Sequence, residues 1–193
     1  FVNLHRFEAN TDGANPKSGL VLRESTLYGT TSEGGGSGSG SVFAISTDGI
    51  GFTNLYSFSE TSSAHSPNSD GAKPSAGLLL SGNTLYGTTF YGGTSGYGTV
   101  FKVRINGTGF MTLYSFPPVS SGSRATNSTG SDPFAGLILS GDTLYGTTHA
   151  GGTSGFGTVY QVNTDGTDFM TLHSFTGGSG GGNPFAGLIL SGL

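Results

Sequence analysis

The chain has 193 residues, enough for one domain with a sizeable core. Charged residues make up 9% and the net charge is −4, with 7 Lys and Arg scattered along the chain, so there is no electrostatic footprint for nucleic acid. No apolar run reaches the ~18 residues of a membrane-crossing helix, and the absence of cysteine excludes disulfides, thiolate metal sites and cysteine nucleophiles.

The chain opens in mid-pattern on FVNLHRF, residues 1–7, without an initiating Met or a signal peptide, which reads as a mature product or a fragment. Four segments follow: PKSGLVL at 16–22, TLYGTT at 26–31, GSVF at 40–43 and FTNLYSF at 52–58. They return at 74–80, 84–89, 98–101 and 110–116, then at 133–139, 143–148, 157–160 and 169–175; 184–190 repeats the first. Tyr28, Tyr86 and Tyr145 mark the period, 58 and 59 residues apart. Glycine stands at 37 of 193 residues, far above a typical ~7%, but it recurs with the apolar residues and so belongs to the repeat rather than to a disordered tract.

Each segment is short, rich in Val, Ile, Thr, Tyr and Phe, and bounded by turn residues, which predicts strands; we label them a, b, c and d. Alternation in 110–116 places Phe110, Tyr114 and Phe116 on one side and Met111 and Leu113 on the other. A strand apolar on both faces is covered on both faces, as in small sheets stacked face to face. Gly82-Asn83 and Gly141-Asp142 suit type II′ turns between a and b. Asp48-Gly49, Asn106-Gly107 and Asp165-Gly166 supply the turns between c and d. Each unit therefore reads as a four-stranded antiparallel meander, and the glycine-rich stretches, such as HAGGTSGFG at 149–157, are b–c connections. A phosphate-binding loop needs a following helix and a Lys, and neither is present.

The predicted fold is all-β, a β-propeller of four-stranded blades, with a β-solenoid as the alternative. Blade 1 spans 16–58, blade 2 spans 74–116 and blade 3 spans 133–175; 1–7 is an orphan outer strand and 184–193 an orphan inner strand. The pattern L-Y-G-T-T-x-x-G-G-x-x-G-x-G-T-V-F, then D-G, then F-x-x-L-x-x-F, then P-x-A-G-L resembles the GloVer-type tandem repeat of bacterial proteins. It is also similar in part to kelch blades, with Phe52, Phe110 and Phe169 where kelch carries Trp. The resemblance implies an exported, repeat-built protein at the bacterial cell surface, and the low charge and Ser/Thr/Gly-rich loops point the same way. Three blades and two orphan strands do not close a propeller of four to eight blades, so the terminal strands are expected to pair between chains or within a longer array.

The candidate ligand-binding residues are the loop aromatics Phe90, Tyr91, Tyr97, His149 and Phe156, placed beside Glu33 on the variable b–c loops, where exposed rings can stack on sugars or anchor a partner. Tyr97 and Phe156 have a second reading, as cover for glycine-rich backbone. His5 and His173 share a slot with Tyr56 and Tyr114 and read as packing residues. Asp12 and Asp70 read as turn residues, since Thr129 and Gly180 replace them and a Ca²⁺ site wants six to eight oxygens. No catalytic constellation, metal site or cofactor motif is present in the sequence. Three functions stand beside one another: a non-enzymatic extracellular scaffold binding a glycan or protein ligand, a self-assembling protein, and an enzyme using the central channel of a propeller.

Overall fold

The computed structural model describes residues 1–122 and 124–191, so Gly192 and Leu193, the end of the predicted 184–193 strand, lie outside the described residues. Strands β1 (Val21–Arg23), β2 (Thr26–Thr31), β3 (Ser41–Ser46) and β4 (Thr53–Ser57) form the first sheet. Strands β5 (Leu79–Ser81), β6 (Thr84–Thr89), β7 (Thr99–Arg104) and β8 (Met111–Ser115) form the second. The third holds β9 (Ile138–Ser140), β10 (Thr143–Thr148), β11 (Thr158–Asn163) and β12 (Met170–Ser174). Every sheet is an antiparallel meander in chain order.

The a strands are shorter than the sequence suggests. Their Pro-led halves stay outside the ladder, because proline has no N–H to contribute, and the neighbouring backbone finds other partners. Ala14, Ala72 and Ser131 bridge to Glu33, Tyr91 and Ala150 on the b–c loops. The Ala76 and Ala135 carbonyls accept Thr30 Oγ1 at 3.3 Å and Thr88 Oγ1 at 3.1 Å from the preceding sheet. The second Thr of each pair works within its own sheet, with Thr31–Ser41, Thr89–Thr99 and Thr148–Thr158 hydroxyls 2.8, 2.8 and 2.9 Å apart. Residues 1–7 and 184–191 join no ladder.

The c–d turns also differ in form from a two-residue hairpin. Gly49 N donates to Ser46 O, Gly107 N to Arg104 O and Gly166 N to Asn163 O. Each glycine follows the turn in the left-handed region, the form of a three-residue loop with a glycine bulge. Asp48, Asn106 and Asp165 accept a backbone N–H two residues on, so Asp and Asn are interchangeable there.

A bulge changes the facing of strand d. Between β7 and β8, Val100 pairs with Tyr114 but Phe101 pairs with Thr112, leaving Leu113 as the extra residue. One extra residue inverts the alternation, so Phe110 does not share a face with Tyr114 and Phe116. Phe110 stacks on Tyr56 of the first sheet at 3.7 Å, whereas Tyr114 stacks on Phe169 of the third at 3.6 Å. The same bulge recurs in the other two sheets. Both faces are covered as expected, and the two stacked pairs are the same contact one repeat apart.

Two apolar layers result. Tyr28, Val42 and Phe58 pack with Leu85, Phe101 and Val103; Tyr86, Val100 and Phe116 pack with Leu144, Tyr160 and Val162. Each fully buried large side chain contributes about 1.5–3 kcal/mol. The invariant YGT glycine makes room for the c-strand ring opposite it: Gly87 pairs with Phe101, and a Cβ there would lie 2.6 Å from Phe101 Cζ. Residues 1–7 add a partial layer, with His5 stacked on Phe52 at 3.9 Å and its Nε2 2.7 Å from Asp12 Oδ2. Tyr56 repeats the arrangement by donating its hydroxyl to Asp70 Oδ2 at 2.7 Å, so Asp12 and Asp70 anchor the packing residue as well as the turn.

Phe43 and Phe101 hold the ring slot in the first two sheets, and Tyr160 holds it in the third. Its hydroxyl is fully buried with no hydrogen-bond partner among the described residues. Tyr160→Phe is expected to stabilise the chain by about 1–3 kcal/mol by removing that orphaned group. Urea unfolding of the two proteins reads this directly, and a less stable variant would mean that the hydroxyl has a partner in solution.

Candidate functional site

The b–c loops and the d–a connections meet at one edge of the stacked sheets. An asparagine clasps each pair in the second and third units. Asn68 Oδ1 accepts the N–H groups of Gly71 and Gly93, both at 2.8 Å, while its Nδ2 donates to Ser59 O and Gly71 O at 3.0 and 2.8 Å. That uses its full hydrogen-bonding capacity. Asn127 does the same with Gly130 and Gly152, and with the carbonyls of Pro117 and Gly130. Neither residue was among the sequence candidates, although the signal, Asn-Ser-x-Gly at 68–71 and 127–130, is present.

Across this edge runs a row of rings. Tyr91 lies 4.5 Å from Phe90, Phe90 lies 5.6 Å from Phe134, Phe134 lies 5.4 Å from Phe185, and Phe185 lies 4.4 Å from His149. Three of the five predicted residues, Phe90, Tyr91 and His149, are thus brought together by two that sequence reasoning missed, Phe134 and Phe185. Both missed residues directly follow the a-strand proline, where the first two units carry Lys17 and Ser75, so the repeat pattern hid them. His149 is half-buried, and that burial holds its imidazole below the ordinary value and favours the neutral ring.

The other two predicted residues are placed differently. Phe156 lies beneath the Arg124 guanidinium, 4.0 Å from its centroid, and against the backbone of Gly177 and Gly182. Tyr97 packs on His65 at 4.6 Å, and Tyr91 meets the same ring at 4.7 Å. His65 Nδ1 is 3.8 Å from Asp132 Oδ1. Desolvation raises the Asp132 carboxyl from 3.8 to about 7.

At the Tyr91 end of the row lies a cleft of about 290 Å³ lined by Ser37, Ser39, Glu60, Ser63, Lys73 and Tyr91 among others. It adjoins a shallower hollow that shares Ser37 and Lys73 and reaches Glu33. The Lys73 ammonium stands 5.8 Å from the Tyr91 ring centre, over its face. The arrangement offers hydroxyls, carboxylates, an ammonium and an aromatic platform in one open site, suited to a ligand with many hydroxyl groups.

No protein-family model and no curated protein matches this chain. Among solved structures it is similar to a chain of "Crystal structure of Nidogen/Laminin Complex", at 16% identity and a TM-score of 0.48, over 77% of this chain. The chain spans 44% of the length of that one.

Proposed function

We propose that this chain is a segment of a propeller-like extracellular repeat protein that binds glycans along the ring-lined edge. The observation that carries the reading is the row from Tyr91 to His149 running into the polar Lys73 cleft. Sugars present apolar C–H faces and polar rims, and rings beside hydroxyl, carboxylate and ammonium groups complement both. The resemblance of the repeat to GloVer-type surface proteins supports the location.

The test is affinity electrophoresis through gels containing soluble polysaccharides, followed by calorimetry on any that retard the chain. Tyr91→Ala and Phe134→Ala are each expected to weaken binding at least ~10-fold, equivalent to about 1.4 kcal/mol, while Phe156→Leu leaves it unchanged. Retardation by no polysaccharide, or equal retardation of all variants, would sink the proposal. Self-association is the second reading, favoured by the exposed Phe185, Ile189 and Leu190 in 184–191. Residues 1–7, however, already rest on their own first sheet.

A further inference from the structure

Packing does not require one feature of the d–a connection before the second unit: the loop tip at 60–67 and the carboxylate it touches. The tip is pinned at its base by Asn68, which donates to Ser59 O and accepts from Gly93 N. Beyond that base, among the described residues, the hydrogen bonds of 61–66 run within the tip, through Ser62, Ser63 and Ser66. The tip is therefore a self-contained unit, joined to the body of the protein by His65.

His65 is held with φ +59, a left-handed backbone uncommon outside glycine. Its carbonyl rests so closely on the b–c loop that a Cβ at Gly96 would lie 1.9 Å from it. Its ring sits against Tyr91 and Tyr97, with Asp132 Oδ1 3.8 Å from Nδ1. That oxygen is buried and has no hydrogen-bond partner among the described residues. The slot before the proline holds uncharged Asn15 and Asn183 in the same left-handed backbone, so a buried acid is not what the turn demands.

We propose that the 60–67 tip is a proton-operated latch over the Tyr91–Lys73 cleft, closed while the Asp132 carboxyl beside His65 carries its proton and released when that carboxyl ionises. Only its consequence for ligand binding rests on the glycan reading. Protonated, the Asp132 carboxyl is neutral and tolerates its burial 3.8 Å from the His65 ring. Ionised, it is a carboxylate whose buried Oδ1 meets no donor among the described residues, and hydrating that oxygen requires the tip to lift. The groups that face Asp132 and His65 are the Tyr91 and Tyr97 rings from one b–c loop, His149 from the next, whose backbone N–H bonds the Asp132 carbonyl, Lys73 beyond Tyr91, and Glu60 on the tip itself. Burial of Asp132 places release near neutral pH. The tip supplies Glu60, Thr61, Ser63 and Ala64 to one wall of the cleft, so its release reshapes the site.

NMR of the 193-residue chain without ligand tests the latch. At pH 6 the His65 ring protons should show nuclear Overhauser contacts to the Tyr91 and Tyr97 rings, and those contacts should fall by more than half at pH 8.5. In Asp132→Asn, where the amide needs no counter-charge, they should be equal at both pH values. Contacts that persist at pH 8.5 in the unsubstituted chain, that are missing at both pH values, or that fall equally in Asp132→Asn would each overturn the proposal. Because no ligand is present, the outcome is independent of whether the chain binds glycans.

Discussion

Phe101→Ala will cost about 3–5 kcal/mol, the range for emptying a buried aromatic site, and Phe43→Ala will cost less although it removes the same ring from the same repeat slot. Phe101 is fully buried between sheets, 5.2 Å from Phe58 edge-on and 5.7 Å from Phe110, and it covers Gly87. Its removal leaves a void that neither sheet can fill, because the ring bridges two rigid surfaces. Phe43 also covers its glycine, Gly29, but its outer side borders an existing cavity of about 260 Å³ lined by Leu20, Leu27 and Ile45. Fewer contacts are lost there, so about 2–3 kcal/mol is expected. Urea unfolding of both variants beside the unsubstituted chain measures the difference. Equal costs would mean that residues 1–7 close over Phe43 in solution as tightly as the first sheet closes over Phe101. A cost below about 1 kcal/mol for Phe101→Ala would contradict face-to-face stacking of the first and second sheets.

The strands were readable because their signal is local. TLYGTT and its partners announce themselves by composition, and the glycine turns by residue type, so three all-β meanders follow from the repeat alone, with both faces covered in the middle one. What failed was anything that depends on counting across an irregularity. Nothing in FMTLYSF distinguishes Leu113 as a bulge residue, and one unpaired residue moves Phe110 to the opposite face from Tyr114. The Pro-led segments read as full strands because their apolar content is high, but a missing N–H matters more than composition. At the edge the limit was different in kind. Phe90, Tyr91 and His149 were visible as departures from the repeat on the b–c loops. Phe134 and Phe185 were hidden inside what looked like an ordinary strand start. His65 and Asp132 lie 67 residues apart in sequence, and only the packing of one unit on the next makes them neighbours.

Asp132→Asn will flatten the pH dependence of stability. Burial raises the Asp132 carboxyl from 3.8 to about 7 in the folded chain. Between those two pH values the folded state holds a proton that the unfolded state has released. Its contribution is therefore most favourable below about pH 4, and stability falls as the pH rises to 7. At full cost the interval corresponds to about 4 kcal/mol. Lifting the 60–67 tip hydrates the carboxylate without unfolding the sheets, so the loss is capped by the cost of that opening. The expected loss for the unsubstituted chain is then about 1–3 kcal/mol between pH 4 and pH 8, relative to Asp132→Asn, and the shortfall from the full cost reports how readily the tip lifts. The variant should fold normally, because Asn15 and Asn183 already occupy this backbone at φ +57 and +51. Urea unfolding of both proteins at pH 4, 6 and 8 cancels, in the difference, the contributions of titrating groups remote from Asp132. Parallel curves would mean that water reaches Asp132 in the folded chain at every pH, and the latch would lose its driving force.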